Sequence, residues 1–136
     1  MPEPDLPVVA EGKTPRGEHW SLRAAGSPDR YYSMLRTVHP NGHWDEGGMG
    51  GPALHAGSLF TVYTGRADDG PLRLIVRTDR RVRRLRIHLA AGLWRDLQPA
   101  SDDPAAGVTL FALLLPGTTS VDEMQGFDAD GQLISE

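Results

Sequence analysis

The apolar residues of this chain fall in short alternating runs, and almost every run is closed by glycine or proline. These two residue types supply 27 of the 136 positions, 16 plus 11. A helix needs a repeat near 3.6 and a longer stretch free of both residues, whereas a strand needs only alternation over a few positions. The spacing predicts strands at His19–Ala24, with Trp20, Leu22 and Ala24 on one face, and at Arg30–Val38. Further strands are predicted at Ser58–Thr64, Leu72–Arg77, Val82–Leu89, Leu93–Leu97, Val108–Leu115, Ser120–Gln125 and Gln132–Ser135. Leu72, Leu74 and Val76 read as inward and Arg73 and Arg77 as outward; Ile75 shares the outward phase and is expected to lie under the tail or another loop. Val108–Leu115 (VTLFALLL) is apolar in both phases and reads as a central strand. Trp20 and Trp94 are expected in the core.

The length suits one domain with enough buried surface to need no metal or crosslink. The segment 1–17 carries four prolines and reads as an extended or disordered N-terminal tail, and 18–136 as the sandwich domain. Within it, 39–57 is the longest stretch without periodicity and reads as a long glycine-rich loop. Loops of that length are commonly functional, so it is the first place to look for a site.

At residues 70–136 a Gly-Pro turn leads into a charged alternating strand, then VRRLRIHLAAG, VTLFALLLP and FDADGQLI. This cadence resembles the immunoglobulin-like sandwich domains of uncharacterised actinobacterial proteins. Lys13 is the only lysine among 14 basic residues, a usage similar to that of high-GC bacteria. The resemblance implies an all-β fold, a single two-layer antiparallel β-sandwich, immunoglobulin-like in layout. It lacks the Cys…Trp…Cys core of antibody domains, and it carries no functional residues over.

Several chemistries are excluded or weakened by composition. Without cysteine there are no disulfides, no thiolate nucleophile and no Cys-ligated zinc. The start, Met1-Pro-Glu-Pro-Asp5, lacks the basic end and apolar stretch of a signal peptide. The longest apolar run, Phe111–Leu115, is too short to span a bilayer. A cytoplasmic protein without membrane contact is expected. The net charge of −4 is uneven. Residues 1–95 hold 14 basic and 10 acidic side chains, 14 − 10 = +4, and residues 96–136 hold eight acids and no Lys or Arg, −8. Acidic and basic strands pairing across a sheet would account for this split.

Four side chains in or near the glycine-rich loop are candidate metal ligands: His39, His43, Asp45 and His55. Imidazole and carboxylate suit zinc, nickel or iron, but the spacing matches no standard site, and solvated histidines in a glycine loop are the competing reading. Ser58, His55 and Asp45 could form a nucleophile, base and orienter, though no Gly-x-Ser-x-Gly elbow is present. Arg77, Arg80, Arg81, Arg83, Arg84 and Arg86 crowd one region, from which Arg81, Arg84 and Arg86 are candidate ligand-binding residues, together with His43 and Trp44. Nucleic acid is disfavoured by the negative total charge and by the lack of interleaved aromatics. Gly47-Gly-Met-Gly-Gly51 lacks the following Lys-Ser/Thr of a phosphate loop, and Asp128-Ala-Asp-Gly131 is a turn rather than a calcium loop. No cofactor is implied. The function expected is a non-catalytic binding or structural domain for a protein or small polar ligand. The alternatives are a metal-dependent or histidine-based enzyme at 39–57, or a homodimerisation module.

Overall fold

The computed structural model of the chain describes residues 6–66, 70–90, 92–116 and 120–134. These are all-β, with twelve strands: β1 (Val8–Lys13), β2 (His19–Gly26), β3 (Tyr31–Val38), β4 (Trp44–Met49), β5 (Phe60–Arg66), β6 (Leu72–Asp79), β7 (Arg84–Leu89), β8 (Trp94–Leu97), β9 (Ser101–Asp103), β10 (Val108–Leu115), β11 (Val121–Phe127) and β12 (Leu133–Ile134). All pairings are antiparallel. They form three four-stranded sheets, in the orders β1-β2-β3-β4, β5-β6-β10-β9 and β12-β11-β7-β8. The turn at 67–71, the stop at 116–117 and Ser135 fall wholly or partly outside the described residues. No helix among the described residues is long and apolar enough to cross a membrane.

Three sheets stand where the sequence reading expects two layers. The reason lies in β6 and β10, whose side chains are apolar in both phases. Leu72, Leu74, Val76, Phe111 and Leu115 pack with Leu85, Ile87, Leu89 and Leu97 of the β12-β11-β7-β8 sheet. On the opposite face Ile75, Val108, Leu110 and Leu114 pack with Leu22, Ala24, Tyr31 and Leu35 of the β1–β4 meander. The β5-β6-β10-β9 sheet is therefore the middle layer. Each such side chain withdrawn from water stabilises the fold by roughly 1.5–3 kcal/mol, so a strand apolar on both faces is stable only between two others.

This layering corrects several expectations. Arg73 and Arg77 do not point to solvent: both are buried under β1–β4, and Arg77 is fully so. Ile75, between them, is covered as its place in that phase suggests, but by the β1–β4 sheet rather than by a tail or loop. Residues 8–13 of the N-terminal segment are paired to β2. The stretch 39–57 is not one long loop, because β4 occupies its middle and pairs with β3. Two of its glycines, Gly47 and Gly48, sit at close approaches. A Cβ on Gly48 would lie 2.0 Å from the carbonyl oxygen of Ser33, and one on Gly47 would lie 2.0 Å from the Tyr63 hydroxyl. Trp94 is not in the core. It is 48% exposed and stacks on His88, with ring centroids 4.5 Å apart.

Candidate functional site

Pairing of β3 with β4 sets the geometry of the polar end of the first sheet. A tight turn joins them, with the His39 N–H donating to the His43 carbonyl at 2.8 Å. This places Asp45 opposite Thr37 and within reach of His39, whose Nε2 lies 2.9 Å from Asp45 Oδ2. The other ring nitrogen, Nδ1, faces Glu18 Oε2 at 3.7 Å. Asp45 Oδ1 accepts from the buried Arg73 guanidinium. Glu18 accepts in turn from the Thr14 hydroxyl at 3.0 Å and from Arg16 Nε at 2.9 Å. The result is a chain of polar contacts, Arg16–Glu18–His39–Asp45–Arg73, that links the first sheet to the middle one.

This arrangement limits the chemistry available. Both ring nitrogens of His39 face carboxylates, so neither is left for general-base work on a substrate. The two carboxylates approach opposite sides of the ring and cannot converge on one ion with it. Of the metal set His39, His43, Asp45 and His55, the structure brings together only His39 and Asp45. His43 and His55 are exposed, and neither makes a side-chain hydrogen bond or ion pair among the described residues. Among those residues no three His, Asp or Glu side chains gather as they would around a metal ion. His55 and Ser58 share a turn through their backbones, at 3.0 Å, but Asp45 serves His39 and Arg73 instead of His55.

Arg83, Arg84 and Arg86 are paired with acids from the C-terminal part of the chain, and Arg81 with Asp79 beside it. Arg84 and Arg86 both bind Asp96 across the β7–β8 pair, at 3.3 and 2.9 Å. Their guanidinium carbons stand 4.3 and 5.4 Å from the centroid of the Phe127 ring. Arg83 binds both oxygens of Asp102, at 2.7 and 3.1 Å, and the Thr109 hydroxyl donates to Asp102 at 2.7 Å. Hydrogen bonds from Arg83 and then Thr109 hold Asp102 down to about 2. Asp96 is lowered chiefly by its hydrogen bond from Arg86. Arg81 folds onto Asp79 at 2.9 Å, and Asp79 is lowered first by the backbone N–H of Arg81. Of the three arginines expected to bind a ligand, Arg81, Arg84 and Arg86, each already has a carboxylate partner.

Trp44 differs from these. It begins β4, an outer strand of its sheet, and is 56% exposed. Arg36 lies over its ring at 4.4 Å and is itself held by Glu46 at 3.0 Å. The exposed His43 is its chain neighbour.

Sequence reasoning misses Glu18, Arg36 and Arg73 as members of this polar end. The signal for Arg73 was present: Ile75, between two arginines in one strand phase, marks that phase as covered. No signal of that kind points to Glu18. No family model, no curated protein and no solved structure matches the chain.

Proposed function

We propose that the protein is a non-catalytic binding domain that recognises a protein or polar ligand through the Trp44 end of β4, with His43 beside it. The observation that carries this reading is the exposed Trp44 indole, held in place by Arg36 and Glu46. A large aromatic that is uncovered yet fixed has little ordering entropy left to lose on binding, and tryptophan is enriched at contact hot spots. The arginine strand plays a smaller part, since Arg84 and Arg86 are closed on Asp96.

The scaffold of this domain, in the same reading, is an immunoglobulin-like sandwich over residues 58–134 overlaid by the β1–β4 meander. The strand order supports it. Labelling the strands from β5 onward A, B, C, C′, D, E, F and G turns the two sheets into A-B-E-D and G-F-C-C′, the immunoglobulin arrangement with one added C′ strand.

The test is a photo-crosslinking residue placed at Asn41, in the turn beside Trp44, with the protein expressed in its native host. Adducts that vanish in Trp44→Ala, while that variant keeps the wild-type melting temperature, are the expected result. Adducts unchanged in Trp44→Ala, or none above a crosslinker placed on β9, overturn the reading. Sizing at two concentrations separates a second copy of the chain from a different partner.

A further inference from the structure

A groove of about 520 Å³ opens between β5 and β11, on the side of the molecule where the middle and third sheets separate. Its floor is apolar, with Phe60, Met124 and Ile134 packed onto the core and Val62 45% exposed at its wall. Its rim carries Asp122 and Glu123, both exposed, and among the described residues no basic side chain lines it.

One side of the groove is an unfinished sheet edge. β11 pairs with β7 along its inner side, with one register shift between Val121 and Glu123, but β12 faces only Gly126 and Phe127. Among the described residues no strand lies beside the outer edge from Val121 to Gln125. In an antiparallel sheet every second residue of such an edge turns its N–H and C=O outward. Those groups, above an apolar floor, match the way an extended peptide is captured: main-chain hydrogen bonds give affinity and side-chain pockets give selectivity.

We propose that the Val121–Gln125 edge of β11 accepts an extended peptide as an added strand, and that this peptide alternates apolar with basic side chains. The apolar positions enter the groove against Phe60, Val62 and Met124, and the basic ones meet Asp122 and Glu123. The edge is about 17 Å long, enough for five residues at the usual strand rise. A second copy joined through the same edge is the wrong occupant. It would set Asp122 and Glu123 against identical acids, and like charges facing across paired strands are destabilising. This surface is separate from the Trp44 end, and the proposal stands independently of that reading.

The test uses the full chain and three end-blocked heptapeptides: alternating lysine and valine, the same with glutamate for lysine, and the lysine–valine peptide with a central proline. Amide exchange and chemical shifts are followed residue by residue. The lysine–valine peptide is expected to bind and to slow exchange at Val121–Gln125. The glutamate peptide fails on charge, and the proline peptide fails because its missing N–H breaks the ladder. The surface variant Asp122→Asn/Glu123→Gln weakens binding about fivefold, as two rim charges should. Val62→Lys weakens it further by placing a like charge in the wall. The proposal is overturned by no binding at millimolar lysine–valine peptide, by equal binding of the glutamate peptide, by protection confined to other strands, or by a dimer that buries β11.

Discussion

The guanidinium of Arg77 reaches from β6 to the carbonyl oxygen of Met49 at the end of β4, 2.7 Å away. It also donates to the carbonyls of Tyr31 and Pro52, at 3.2 and 3.0 Å, and to the Ser33 hydroxyl at 3.1 Å. The side chain is fully buried, and burial lowers its pKa to about 10, so it stays charged at neutral pH. Among the described residues no carboxylate hydrogen-bonds to it; four oxygens of the first sheet and the segment after it take that role. Arg77 thus ties the β1–β4 meander to the middle sheet.

Replacing that arginine tests how the layers are held. Arg77→Met keeps much of the volume but removes the donor from four oxygens, of which those of Tyr31 and Ser33 are buried and those of Met49 and Pro52 partly so. A loss of about 3 kcal/mol is expected, since each orphaned buried group costs about 1–3 kcal/mol. Arg77→Lys restores the charge with a shorter reach and should fall between the two. Urea unfolding monitored by Trp20 in the first sheet and Trp94 in the third distinguishes global loss from undocking of the meander alone. Coincident transitions mean the layers unfold together.

Acid should weaken the Arg83–Asp102 contact. The folded pKa of Asp102, about 2, lies below its ordinary 3.8. Its contribution is therefore complete above about pH 4 and is lost as pH falls from there through 2. The side chains are more than a third exposed, so solvent screening keeps the effect below about 1 kcal/mol. Asp102→Asn is expected to flatten the acid limb of the stability curve slightly. Carboxyl titration by NMR in Thr109→Val should show the Asp102 value moving up, because one of its donors is gone.

Alkali should act on the opposite kind of group. Burial, followed by the hydrogen bond to Asp103 at 2.8 Å, raises the Tyr31 phenol above its ordinary 10. A raised folded value favours the neutral form, so the contribution is full below pH 10 and is lost as pH rises beyond it. Tyr31→Phe should cost about 1 kcal/mol at pH 7 through the missing hydrogen bond. The gap to wild type should then narrow above pH 10. A constant gap up to pH 11 would contradict the assignment.

Gly48→Ala is a test of why the glycine-rich run forms a strand. The added methyl would meet the Ser33 carbonyl oxygen at 2.0 Å and the Met34 Cα at 2.7 Å, both main-chain atoms of β3. Backbone cannot step aside as a side-chain tip can, so a loss of about 2 kcal/mol is expected, within the usual range for overpacking. Gly51→Ala, where a Cβ meets nothing within 4 Å but φ is +85°, should cost about 1 kcal/mol through strain alone. Thermal melts of the pair rank the two causes.

The sequence by itself determined what each segment could become. Leu85, Ile87 and Leu89 alternate with Arg84, Arg86 and His88, and the structure buries the first set and leaves the second partly exposed. Val108–Leu115, apolar in both phases, lies in the middle sheet with neighbours on both faces. The split of charge along the chain also became pairing, as Asp96 and Asp102 bind the arginines of the preceding stretch. These features depend on the pleat of one strand or on nearby chain, so local pattern carries them.

Only the tertiary structure decided how many layers there are and which polar groups meet. Arg77 and Ser33 are 44 residues apart, and Tyr31 and Asp103 are 72 apart. Ile75 marks the arginine face of β6 as covered, but nothing within β6 states that the β1–β4 sheet will cover it, and nothing within Gly47-Gly-Met-Gly-Gly51 states that a neighbouring backbone will lie where a Cβ would be. Alternation fixes that a side chain points to one face or the other; what waits on that face is set by contacts between distant parts of the chain. The polar chain from Glu18 to Arg73 and the open edge of β11 arise in the same way, from packing that no single segment encodes.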